Sequence, residues 1–113
     1  MISVIFSTRE DNQNHIEDIK KTSGIHKGLE VIQYINNGEY SLTQLYNRAL
    51  KETTNNIVVF CHDDIIFDTK NWGTKLLRVM KKNPEFGIVG IAGSREVPVS
   101  GQWWENPSHM YGQ

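Results

Sequence analysis

His62, Asp63 and Asp64 stand together at the end of an apolar run, Ile57-Val58-Val59-Phe60-Cys61. Two adjacent carboxylates repel unless something positive holds them, and a hard divalent cation such as Mg2+ or Mn2+ is the usual partner. Such ions keep several waters and take further ligands from substrate phosphates. The triplet therefore points to a metal and, through it, to a phosphorylated ligand. The plainer alternative is that Asp63 or Asp64 caps a turn, with His62 a turn residue or a phosphate contact. On spacing alone both readings stand.

Other candidates are scattered. Arg9 follows the first apolar run and either meets a phosphate or ring edge or is a solvated arginine. Asn47 and Arg48 sit inside a helical pattern, where Asn47 can reach a ligand and Arg48 can offer a fork to phosphate or simply face solvent. Trp103 and Trp104 can stack on a sugar face or plug a loop. Cys61, at the end of the apolar run, reads as a buried structural residue. The chain has no glycine-rich phosphate loop, no Cys or His cluster with zinc spacing, and no Ser-His-Asp order of catalytic type.

These residues need elements to hold them. Residues 2–6 form a short apolar run, a first buried strand ending in Ser7-Thr8-Arg9-Glu10. Asn14 with Glu17 resembles a helix-start capping box, and Gly24 and Gly28 punctuate the exit. Leu29, Val31, Gln33 and Ile35 share one face of a second strand, which stops at the turn signal Asn36-Asn37-Gly38. Ser41 and Gln44 form another capping box. Leu42, Leu45, Tyr46, Ala49 and Leu50 then fall on a single helical face. Residues 57–61 lack alternation and read as a third, fully buried strand. Trp72, Leu76, Val79 and Met80 repeat the helical spacing until Asn83-Pro84. Residues 86–92 read as a fourth strand followed by Gly93-Ser94-Arg95.

Strands alternating with helices argue for an α/β, Rossmann-like fold, a mostly parallel sheet with helices on both faces. Right-handed crossovers would gather the polar strand ends on one edge of that sheet. Open α/β sheets bind their ligands at such an edge.

The 113 residues suffice for one modest domain, which at this size buries roughly two thirds of its unfolded surface. Lys and Arg number 12 against 13 Asp and Glu. That balance argues against a nucleic-acid binder driven by bulk charge. A single cysteine excludes an internal disulfide and fits a reducing compartment. No apolar stretch approaches a membrane span, and Met1 leads into a strand rather than a signal peptide. A cytoplasmic location is expected, free or peripheral at the inner membrane face.

Together these segments resemble the amino-terminal part of a family 2-like glycosyltransferase of GT-A type. The resemblance rests on Ile2-Ser3-Val4-Ile5-Phe6-Ser7-Thr8-Arg9 as opening strand and nucleotide-contacting turn, on Tyr46-Asn47-Arg48-Ala49-Leu50 as the helix ahead of the metal strand, and on the strand ending His62-Asp63-Asp64 as the Asp-x-Asp metal motif. It implies a nucleotide-sugar donor, a uridine diphosphate sugar first among them, with Mg2+ or Mn2+ bridging its diphosphate and a glycan or lipid-linked acceptor. It further implies Ser7, Thr8, Arg9, Asn36, Asn47 and Asp63 at the nucleotide, Asp64 and His62 at the metal, and Trp103 and Trp104 near sugar or acceptor. His62 replaces the motif's first aspartate, and Asn36-Asn37 replaces an acidic pair usual after the second strand. The family's catalytic base lies further downstream, and Glu96 and Glu105 stand too near the metal motif to replace it. The expectation is thus a single donor-binding domain over residues 1–113, part of a longer enzyme and inactive alone. The alternatives are a non-catalytic nucleotide- or sugar-binding module and an unrelated doubly wound phosphoryl-transfer or signalling domain.

Overall fold

A computed structural model describes residues 1–90 and the backbone of Gly93–Ser94 and Met110–Tyr111. The chain divides into two compact units, Met1–Lys82 and Asn83–Gln113.

The first unit holds strands β1 (Ile2–Thr8), β2 (Leu29–Ile35) and β3 (Ile57–Phe60), and helices α1 (Gln13–Ser23), α2 (Leu42–Glu52) and α3 (Trp72–Lys82). The three strands form one parallel sheet in the order β2-β1-β3. From β1 the chain steps to one side to make β2, then crosses back past β1 to make β3. Right-handed crossovers in opposite directions place their helices on opposite faces of a sheet. This is the expected α/β arrangement.

Side-chain alternation divides β1 between the two faces. Ile2, Val4 and Phe6 form the main core with Ile19 of α1, Cys61 and Trp72 of α3, joined by Leu29, Val31, Ile57 and Val59. Phe6 also meets the His15 ring edge-on, with centroids 4.6 Å apart. On the other face α2 contacts β1, with Ile5, Leu45 and Ala49 all buried. Burying each large side chain contributes about 1.5–3 kcal/mol, so β1, apolar on both faces, anchors the unit. Buried Ser3 is tolerated because its hydroxyl donates to Glu30 and accepts from the Asn55 amide.

Local signals explain most element ends. The capping box at Ser41 and Gln44 is formed at both of its hydrogen bonds. Gly24 ends α1 in the left-handed conformation, at φ 74°, where a side chain would be strained. Gly38 likewise turns the chain after β2 at φ 99°.

Four expectations need correction. The third strand is not fully buried: Ile57, Val58 and Val59 are half-buried and Phe60 is 39 % exposed, because among the described residues β1 is the only strand beside β3. The cap of α1 is Asn12, whose side chain accepts from the His15 N–H, and not Asn14. The apolar stripe of α2 is only half buried, since Leu42 and Leu50 are exposed. Helical periodicity identifies a face but not the width of what covers it. Residues 86–90 are not a strand. Gly87 and Gly90 interrupt that segment and Ile88 is 94 % exposed, so the burial that stabilises a strand is missing. The rest of the expected fourth strand, Ile91 and Ala92, lies outside the described residues. In the second unit β4 (Gly93–Ser94) pairs antiparallel with β5 (Met110–Tyr111).

Candidate functional site

Each strand of the parallel sheet delivers a polar segment to its carboxyl edge. β1 runs into residues 9–12 before α1 begins. β3 ends at Phe60, and the Cys61 N–H still donates to the Ile5 carbonyl, so the chain is held to the sheet until His62. Asp63 and Asp64 then form a turn.

An open cleft of about 360 Å³ lies at this edge, lined by Thr8, Arg9, Glu10, Asp11, Asn12 and Asp63. Two of its walls come from different parts of the chain, the loop after β1 and the turn after β3. Thr8 is buried, and its carbonyl accepts from the Asn36 N–H, which extends the β1–β2 ladder by one bond. Among the described residues, three carboxylates line the cleft against the single guanidinium of Arg9. Asp11 is held below its ordinary value by hydrogen bonds from Gln33 and then Gln13, so it contributes a negative charge at neutral pH. Burial pushes the Cys61 thiol up to about 11, and the Asp63 charge adds to that push.

The structure thus brings together Thr8, Arg9 and Asp63 of the residues singled out from sequence. Ser7, His62, Asp64, Asn36 and Asn47 do not line the cleft. His62 and Asp64 flank Asp63 on the exposed turn. The Asn36 side chain braces its own loop, donating to the Tyr40 carbonyl at 2.8 Å and accepting from the Tyr40 N–H at 3.2 Å. Asn47 is exposed on α2, the helix of the opposite face. Arg48 is engaged within its own neighbourhood, where its Nε donates to Glu52 at 2.8 Å and Glu52 accepts from the Tyr34 hydroxyl at 2.8 Å. Trp103, Trp104, Arg95, Glu96 and Glu105 lie outside the described residues.

Sequence reasoning missed Glu10, Asp11, Asn12 and Gln33. The available signal was Gln33 itself, a polar side chain on the face where Leu29 and Val31 enter the core.

Among the described residues no three His, Cys, Asp or Glu side chains converge on one point as a protein-only metal cage would require. Exposed carboxylates at the mouth of an acidic cleft fit instead a hard cation that takes one or two protein oxygens and completes its shell with water and phosphate. No helix among the described residues is long and apolar enough to cross a membrane.

No curated protein and no solved structure matches the chain. Residues 5–113 match the model of a family described as glycosyltransferase-like. That match takes in the second half of the opening strand, the Asn47 helix and the acidic turn, and with it the chain belongs to the glycosyltransferase-like family of the family 2-like type.

Proposed function

We propose that the cleft between the β1 and β3 ends is the donor site of an inverting glycosyltransferase that takes a nucleoside diphosphate sugar, with a uridine diphosphate sugar the first candidate. The observation that carries this reading is the meeting of Thr8 and Arg9 from one strand end with Asp63 from another. Arg9 offers a guanidinium, the only one lining the cleft among the described residues, to a phosphate or a base, and Thr8 borders the nucleotide. Ser7, Asn36 and Asn47, which lie outside the cleft lining, are proposed as further nucleotide contacts. Asp64, with Asp63 and His62 beside it, would hold Mg2+ or Mn2+. A diphosphate would be repelled by Glu10, Asp11 and Asp63 unless a cation intervened, which makes metal dependence the natural consequence of this charge pattern. When bound, the metal would stabilise the leaving diphosphate as a Lewis acid. Trp103 and Trp104 are proposed to face the sugar or acceptor, a glycan or a lipid-linked hydroxyl at the inner membrane face. Proton removal from that hydroxyl needs a base, which is assigned to no residue of the chain.

UDP titration with and without Mn2+, read by thermal unfolding, tests the proposal. At a hundredfold excess over Kd a ligand adds about 2.7 kcal/mol to stability. A metal-dependent rise in Tm that disappears in Asp63→Asn or Asp64→Ala is expected. No metal-dependent rise, or the same rise in both variants, would overturn it.

A non-catalytic nucleotide-binding module remains the second reading. His62 in place of a carboxylate and the engagement of Asn36 with Tyr40 favour it. UDP binding that ignores EDTA would establish it over the first. Family membership favours both over an unrelated phosphoryl-transfer domain.

A further inference from the structure

Five of the six described residues lining the cleft are consecutive, from Thr8 to Asn12, so one loop supplies most of the described wall of the site. Gln33, in β2, is bound to that loop through both ends of its amide. Its Oε1 accepts the Asn12 N–H at 2.7 Å, and its Nε2 donates to the Asp11 carboxylate at 2.7 Å. Gln13 adds a second donor to Asp11 at 2.8 Å. Asn12 is also the cap of α1, accepting from the His15 N–H at 3.1 Å. A single side chain therefore joins the second strand, the cleft wall and the start of the first helix.

We infer that Gln33 is a positioning residue for the donor site, setting the loop of residues 9–12 against Asp63; this rests on the donor-site reading given above. At neutral pH a primary amide of this length accepts from a backbone N–H and donates to a carboxylate at once, which an ionised carboxylate of the same length does not. Glutamate at this position would keep the acceptor but set a second negative charge against Asp11. Leucine would keep the volume and lose both bonds. In either case residues 9–12 lose their tether to β2, and misplacement of groups by about 1 Å is costly at a binding site.

The test is UDP affinity in saturating Mn2+, measured by calorimetry on the intact chain, for the wild type, Gln33→Leu, Gln33→Glu and Gly73→Ala. Gly73→Ala is the control for destabilisation alone, because Gly73 packs against Ile25 and Ser23, none of which lines the cleft. Gln33→Leu should weaken binding about tenfold, the equivalent of one hydrogen bond to a charged group, at temperatures where it is folded. Gly73→Ala should lower Tm and leave affinity unchanged. Gln33→Glu should bind weakly at pH 7.5 and recover relative to wild type as the pH falls toward 5, when the introduced carboxyl takes up a proton and can donate as the amide did. That pH profile carries the test if Gln33→Leu fails to fold. Equal affinity in wild type and Gln33→Leu, or a Gln33→Glu deficit that does not change with pH, overturns the inference and leaves the donor reading intact. Absence of metal-dependent UDP binding in the wild type removes the donor reading and the inference together.

Discussion

The indole N–H of Trp72 donates to the hydroxyl of Thr22 at 2.9 Å, tying the first residue of α3 to the last turn of α1. One residue earlier, the Asn71 N–H donates to the Thr22 carbonyl at 2.8 Å. Trp72 also stacks on Phe67, with centroids 4.5 Å apart. The turn that carries Asp63 and Asp64 is thus followed within a few residues by a segment fixed to the helix that leaves the cleft.

Truncation of Trp72 separates packing from hydrogen bonding. Trp72→Ala should cost about 3–5 kcal/mol, and Trp72→Phe should keep most of the packing while losing the bond. A double-mutant cycle of Trp72→Phe with Thr22→Val, read by urea unfolding, should give a coupling of about 1 kcal/mol. Strict additivity would show that the bond contributes nothing.

At Gly73 α3 closely approaches the end of α1. A Cβ there would lie 2.9 Å from the Ser23 carbonyl oxygen and 2.7 Å from the Ile25 Cδ1. The isoleucine tip can move, but the backbone carbonyl cannot without shifting the end of α1. Gly73→Ala should therefore destabilise by about 1–3 kcal/mol, as overpacking does, despite the better helix propensity of alanine. A rise in Tm would show that the interface yields.

Cys61 is buried, and its thiol is pushed up to about 11. The thiolate is the reactive form, so native protein at pH 8 should react with an aromatic disulfide far more slowly than urea-unfolded protein. Equal rates would mean that the end of β3 opens readily.

Two hydrogen-bonded groups shape the pH limits of stability. Asp11 is held below its ordinary value of 3.8 by Gln33 and Gln13. A carboxyl depressed in the folded state stabilises above its unfolded pKa, and that contribution is lost as pH falls through the lowered folded value. The stability gap between wild type and Asp11→Asn should thus be constant near neutrality and close in acid. Tyr34 is raised to about 12 by burial and by its bond to Glu52. Its contribution is complete below the unfolded value of 10.0 and is lost as pH rises through about 12. Absorbance titration should show a late-ionising tyrosine that is absent in Tyr34→Phe.

Much of this protein was legible as sequence because its signals are local. The Ser41–Gln44 capping box, the glycines after α1 and β2, and the mainly apolar run of β1 each act within a few residues, and each acts as its sequence suggests. The alternation of strands and helices then leaves little choice but a parallel sheet with its polar ends on one edge.

Which polar residues meet at that edge is a different kind of question. Asp63 and Asp64 are equivalent by type and adjacent in sequence, yet of the two Asp63 lines the cleft and is half-buried, while Asp64 is exposed. Asn36 is available on paper and bound to Tyr40 in the fold. Gln33 looks like an irregularity on an apolar face, and acquires its role only because β2 lies beside β1 in a register that brings its amide to Asn12. Local sequence dictated three strands and three helices of the first unit. The strand order β2-β1-β3, a product of long-range packing across both faces of β1, decided which residues share the cleft.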